Sequence, residues 1–154
     1  MLKASFHSSI AESDPAAWDR MFGADNPFVR HAFLRALEDS GCVSAEAGWH
    51  PQPLELSREG VTVAVMPLYR KTHSYGEFVF DWGWAEAYEK HGLDYYPKLL
   101  TAVPFTPSRG PRVGIAAGEK PDGIIDAIFK AIVKHAGESS CSGWHLLFPA
   151  RELA

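Results

Sequence analysis

The stretch Lys71–Arg112, KTHSYGEFVFDWGWAEAYEKHGLDYYPKLLTAVPFTPSRGPR, concentrates His, Ser, Glu, Asp, Trp and Tyr between two corners rich in Gly and Pro. A hydrophobic core makes little use of so many polar and aromatic groups side by side. The segment therefore reads as the lining of a site, and the flanking sequence as its scaffold. Within it a strand is predicted over Tyr75–Phe80 after a polar link at Arg70–Ser74, then helices over Ala85–Lys90 and Tyr96–Ala102. Pro104, Pro107 and Pro111 exclude helix and impose an extended loop that leads into a strand near Arg112–Ala116.

Upstream, Leu2, Ala4 and Phe6 alternate with Lys3, Ser5 and His7, the period of a short opening strand. Asp14-Pro15 has the form of a helix start, with Trp18, Met21 and Phe22 on one face and Gly23 as the stop. A second helix is expected from Asn26-Pro27 through Leu37, ended by Gly41. Leu54 and Leu56 alternate, Ser57–Gly60 reads as a turn, and Val61–Met66 is strongly β-branched. Downstream, Asp122 is predicted to cap a helix carrying Ile124, Ile125, Ile128, Phe129, Ile132 and Val133 as a two-wide apolar stripe, closed by Gly137. Trp144–Phe148 reads as a strand buried on both faces, although only six residues follow it to flank it. The expected order is β-α-α-β-β-β-α-β-α-β: an α/β (α+β) fold in one domain over residues 1–154, helices flanking a mixed sheet.

Composition narrows the function classes. A chain of 154 residues with 46% hydrophobic and 22% charged residues is ordinary for a globular domain, and its net charge of −4 offers no global field for nucleic acid or anionic lipid. Cys42 and Cys141 lie far apart without metal spacing, which excludes a disulfide framework or zinc site and suits a reducing cytoplasm. The N-terminus is not patterned as a signal peptide, and no run approaches a membrane span.

Glu77, Asp81 and Glu86 are candidate general bases for deprotonating an amine. On a strand Glu77, Val79 and Asp81 share one face beside Trp82 and Trp84, a cleft wall or else a solvated edge. His73 next to Ser74 has no triad spacing and reads as a turn histidine; His31, His91, His135 and His145 read as ordinary residues. The tyrosines, among them Tyr75, Tyr95 and Tyr96, suit stacking on a peptide or sugar, with part of them in the core or rim.

Taken together, Lys71, His73-Ser74-Tyr75-Gly76-Glu77, Val79-Phe80-Asp81-Trp82, Trp84-Ala85, Tyr95-Tyr96-Pro97-Lys98-Leu99, Pro104-Phe105-Thr106-Pro107, Gly110, Arg112 and Trp144–Phe148 resemble the FemAB-like family of GNAT-type N-acyltransferases linked to peptidoglycan biosynthesis. The element order is that of the GNAT fold. The resemblance implies an N-terminal half, completed in longer members by a second GNAT-like half or here by a homodimer. It also implies attack of an amine on an activated carbonyl carried by acyl-CoA or aminoacyl-tRNA, with peptidoglycan precursors as acceptors and no metal required. In that reading Glu77 or Asp81 is the base, and Arg109 and Arg112 orient an anionic group. Trp82, Trp84, Tyr95 and Tyr96 shape the pocket, with His73, Tyr75 and Lys98 contacting substrate. The alternative is a non-catalytic module that recognises a peptide or muropeptide, or docks onto a partner half. In Ser108-Arg109-Gly110-Pro111-Arg112, one glycine and a proline without N–H depart from the glycine-rich turn that cradles the CoA pyrophosphate.

Overall fold

The computed structural model describes residues 1–151, whose elements in chain order are β1 (Leu2–Phe6), α1 (Pro15–Phe22), α2 (His31–Asp39), β2 (Trp49–Pro51), β3 (Leu54–Arg58), β4 (Val61–Met66), β5 (Tyr69–Lys71), α3 (Trp82–Lys90), β6 (Lys98–Thr101), β7 (Gly114–Ile115), α4 (Pro121–Glu138) and β8 (Trp144–Leu146). The strands form two four-stranded sheets, ordered β1-β3-β4-β7 and β2-β5-β6-β8. Every pairing is antiparallel except β6 with β8, which α4 connects as a crossover. The mixed α/β class read from the chain is the one observed.

Local signals account for much of this. Glu59 (φ 52) and Gly60 (φ 80) both sit in the left-handed region, as the two-residue turn of a tight hairpin requires. The turn is thus shorter than the expected Ser57–Gly60, and β3 runs on to Arg58 with a bulge at Leu56/Ser57. Asp14 accepts from the Ala17 N–H at 2.6 Å and Gly23 closes α1, whose Trp18 and Met21 are buried. On α4, Ile124, Ile128 and Ile132 pack against Leu54, Leu56, Met66 and Leu99. Each such side chain contributes about 1.5–3 kcal/mol of burial.

Several expectations are corrected. Tyr75–Phe80 is a loop, because Gly76 (φ 82) and Phe78 (φ 58) break the extended run; the strand lies earlier, at β5. The segment expected as a helix over Tyr96–Ala102 holds β6, since pairing on both sides with β5 and β8 outweighs the weak helical pattern. The helix expected from Ala85 already starts at Trp82. Between Pro27 and Leu37 the helix is interrupted: Pro27–Val29 is a 3-10 turn, and extended Arg30 (ψ 141) restarts it as α2. Asp122 sits inside α4, after Lys120 and Pro121 at its start, and Gly137 lies within the last turn rather than beyond it. β2 escaped notice because Pro51 argues against a strand, and β2 is an edge strand, where proline is tolerated. β7 covers only Gly114–Ile115, and β8 is a half-buried edge strand rather than an interior one.

The second sheet separates its two faces sharply. From β6, Leu99 joins the core under α4, whereas Leu100 points the other way into a cluster with Val43, Trp49 and Tyr69. Lys98 shares the Leu100 face by strand alternation, and all four residues of β6 are buried.

Candidate active site

Register brings three polar residues onto that face. Lys71 on β5 pairs directly with Lys98, and His145 on β8 pairs with Leu100. Two lysines side by side in a buried sheet repel each other, so the loop opposite must supply anions. Glu77 and Asp81 do so: Lys98 Nζ donates to Glu77 Oε2 at 2.8 Å and to Asp81 Oδ2. Lys98, Glu77 and Asp81 are 1%, 3% and 5% exposed. Tyr95 OH donates to Asp81 Oδ2 at 2.8 Å and Tyr96 OH to Oδ1 at 3.3 Å. Lys71 Nζ lies 3.7 Å from the centre of the Trp49 ring and donates to the Tyr75 carbonyl, tying down the loop that carries Glu77.

Asp81 occupies the N-cap position of α3, yet its side chain makes no cap hydrogen bond. An Asp cap contributes about 1 kcal/mol; here the carboxylate faces Lys98 and the tyrosines instead. The two carboxylates differ in what remains to them. Asp81 has both oxygens occupied, whereas Glu77 Oε1 is buried with no partner among the described residues. Their ionisation diverges accordingly. Burial raises the Glu77 carboxyl above the ordinary range, against the pull of Lys98. Burial acts on Asp81 in the same sense, but the hydrogen bonds from Lys98 and Tyr95 prevail and hold it below. The Tyr95 phenol is pushed up by burial and by Asp81, and remains neutral. Burial drives the Lys71 ammonium down to about 8.

These groups open onto a cavity of about 330 Å³, where Glu77, Asp81 and Lys98 meet Phe80, Trp84 and His145. Val79 and Tyr88 also line it. Burial and then Lys98 lower the His145 pKa. The expected common face of Glu77, Val79 and Asp81 is thus realised by a loop rather than a strand.

The other candidates are placed as follows. Trp84, Tyr95 and Lys98 border the cavity, while Trp82 and Tyr96 line a separate groove with Glu86 and Asp94 that shares Tyr95 with it. Glu86 is exposed and paired with Lys90 at 2.7 Å. Tyr75 lies with Phe78, Phe80 and Trp82 around a second, smaller apolar groove, and these four side chains are exposed. His73 packs on Gly48 and edge-on to Tyr75, and burial and then Lys71 hold its pKa down. Arg109 is exposed and Arg112 buried, and neither borders the cavity. Arg112 directs its guanidinium at the Leu147, Pro111 and Ser108 carbonyls, at 2.9, 3.1 and 2.7 Å. Backbone donors are equally committed there: Ser108 N–H bonds to Thr106 O and Gly110 N–H to Phe148 O. With Pro111 lacking an N–H, residues 108–112 do not fit a CoA pyrophosphate. Among the described residues, no three potential metal ligands come together.

The sequence marks His145 only as an ordinary histidine, Tyr88 only among the tyrosines suited to stacking, and Lys71 only within the family resemblance. For His145 the available signal was a polar residue inside an otherwise apolar strand run, Trp144–Phe148.

Among solved structures, the chain is similar to ribosomal-protein-alanine N-acetyltransferase from Brucella melitensis biovar Abortus 2308, with a TM-score of 0.53 at 11% identity over 98% of this chain and 82% of that one. At that identity the likeness defines the fold: a GNAT acetyltransferase fold, here carrying a buried carboxylate–lysine cluster at a cavity. Residues 9–154 match the FemAB-like family, described as peptidoglycan biosynthesis/recognition, and the chain belongs to it. No curated protein matches the chain. Among the described residues, no helix is long and apolar enough to cross a membrane.

Proposed function

We infer that the cavity performs N-acyl transfer, with an amine attacking the carbonyl of an activated ester or thioester and Glu77 as the general base. One observation carries this reading: Glu77, which lines the cavity, has a buried carboxylate oxygen, Oε1, with no partner among the described residues. A buried acceptor without a partner costs about 1–3 kcal/mol, and a ligand N–H placed there recovers it. Burial raises the Glu77 carboxyl above the ordinary range, which makes its carboxylate a stronger base. Asp81 stays ionised and holds Lys98, Tyr95 and Tyr96 in place. Trp84 and Phe80 flank the acceptor. The family description points to peptidoglycan precursors as acceptors. We read the chain as one domain, the first half of a two-half enzyme whose partner half, or a second copy, pairs along β8. The free thiols Cys42 and Cys141 agree with a cytoplasmic setting.

A second reading rests on the exposed aromatic cluster Tyr75, Phe78, Phe80 and Trp82: these side chains bind a muropeptide without turning it over. Calorimetry with muropeptides, followed by an aminolysis assay of the same acceptors with acyl donors, separates the two. Transfer requires product whose rate rises with pH through a limb above the usual carboxylate range, and a loss of about 100-fold or more in Glu77→Gln. Binding without product leaves only recognition, and Glu77→Gln with wild-type turnover removes Glu77 from the mechanism.

A further inference from the structure

The proton balance of acyl transfer exposes a gap that a single base cannot fill. An acceptor that arrives as R–NH₃⁺ loses two protons on its way to the amide R–NH–C(=O)R′. The first must leave before attack, so that the nitrogen lone pair can form the C–N bond. The second leaves the nitrogen of the tetrahedral adduct. As the C–X bond of the donor breaks, its electron pair stays on X, and X takes up one proton. Glu77 Oε1 can hold the first. It is then full, since Oε2 already accepts from Lys98. Asp81 accepts from Lys98, Tyr95 and Tyr96 and has no oxygen to offer.

We propose that His145 is a second proton acceptor of this cavity, taking the proton from the adduct nitrogen and delivering it to the departing group. It stands in the same lining as Glu77 and Trp84, and no side-chain hydrogen bond ties its ring to the described residues. The β6–β8 register places it on the Lys98 face of the sheet, next to Leu100, and the Tyr95 ring meets it edge-on at 5.8 Å. The charged and titratable groups around it are Lys98 on β6, Asp81 and Tyr88 from the α3 side, Tyr95 before β6, and Glu77 across the cavity. Burial and Lys98 favour the neutral imidazole and Asp81 opposes them; the net direction is downward, so the ring is free to accept a proton at neutral pH. Neutral imidazole is also the form that, once protonated, gives the proton up readily to a leaving alkoxide or thiolate.

The inference rests on the acyl-transfer reading, and two measurements on the whole chain keep their failures apart. In the first, ¹⁵N NMR follows the His145 imidazole across pH with and without n-propylammonium chloride, in wild type and Glu77→Gln. The expected result is a midpoint below the ordinary histidine value and an amine-dependent shift that Glu77→Gln weakens. A ring protonated at neutral pH, or indifferent to the amine, overturns the proposal. In the second, aminolysis of p-nitrophenyl acetate, whose leaving group needs no proton, is compared with that of trifluoroethyl acetate, whose leaving group does. His145→Asn should lose about 100-fold in kcat on the alkyl ester with KM kept, and only a few-fold on the aryl ester. Equal losses on both esters, in His145→Gln as well, make the residue structural and overturn the proposal. A wild-type protein inert toward both esters counts against acyl transfer itself, and the imidazole titration then decides His145's place beside the amine on its own.

Discussion

Replacing Lys98 by Met tests the buried cluster most directly. Lys98 Nζ is 2.8 Å from Glu77 Oε2 and also bonds Asp81, all three groups being nearly inaccessible. At an effective dielectric constant of about 20, a pair at that distance attracts by about 6 kcal/mol, most of it offset by desolvation in the intact cluster. Removing only the cation leaves two buried carboxylates facing each other, which costs about 3–5 kcal/mol. For a chain of this length that corresponds to a drop in Tm of roughly 6–20 °C. The pH dependence gives the test its sharpness. Glu77 already ionises above the ordinary range because it is buried, and Lys98 is what restrains that rise. Without Lys98 the folded-state pKa climbs further above the unfolded one, so folding holds more protons. The stability deficit is therefore full above the folded pKa and shrinks as pH falls toward the unfolded value. Urea unfolding of Lys98→Met should show a clearly larger loss at high pH than at pH 5. The double variant Lys98→Met/Glu77→Gln should recover a substantial part of the loss at high pH. Wild-type stability in the single variant, or a deficit that does not change with pH, would refute the picture of a buried charge cluster.

Two further outcomes follow from the neighbouring groups. Lys71 is depressed from 10.5 to about 8 in the folded state. The unfolded chain then binds more protons between those values, and stability should rise by about 3 kcal/mol over that window. Urea midpoints measured from pH 8 to 10.5 should show the rise in wild type and lose it in Lys71→Met; parallel curves refute it. Arg112 serves three carbonyls from a buried position, so Arg112→Met should cost at least about 3 kcal/mol, whereas Arg109→Ala should stay within about 0.5 kcal/mol. Equal denaturation midpoints for the two variants would remove the structural role of Arg112.

Short-range chemistry was legible in the chain. Asp14-Pro15 and Gly23 bound α1, the isoleucine stripe marks the core side of α4, and Val61–Met66 is a strand. Each depends on φ/ψ preference or periodicity over a few neighbouring residues. Also visible from the sequence was that Lys71–Arg112 is polar and aromatic enough to line a site, whereas the meeting of Glu77, Asp81, Trp84 and Tyr95 at one cavity is a product of the fold. Tertiary structure alone decided the rest. Lys98-Leu99-Leu100-Thr101 has no strong local bias and becomes a strand because β5 and β8 supply hydrogen-bond partners on both sides. Asp81 leaves its helix end uncapped because a buried ammonium lies within reach. His145, 47 residues beyond Lys98, enters the cavity through the register of a parallel pair. Pairing, register and burial are long-range quantities: they set which charges lie in a low dielectric and which oxygen is left without a partner, and no window of neighbouring residues contains them.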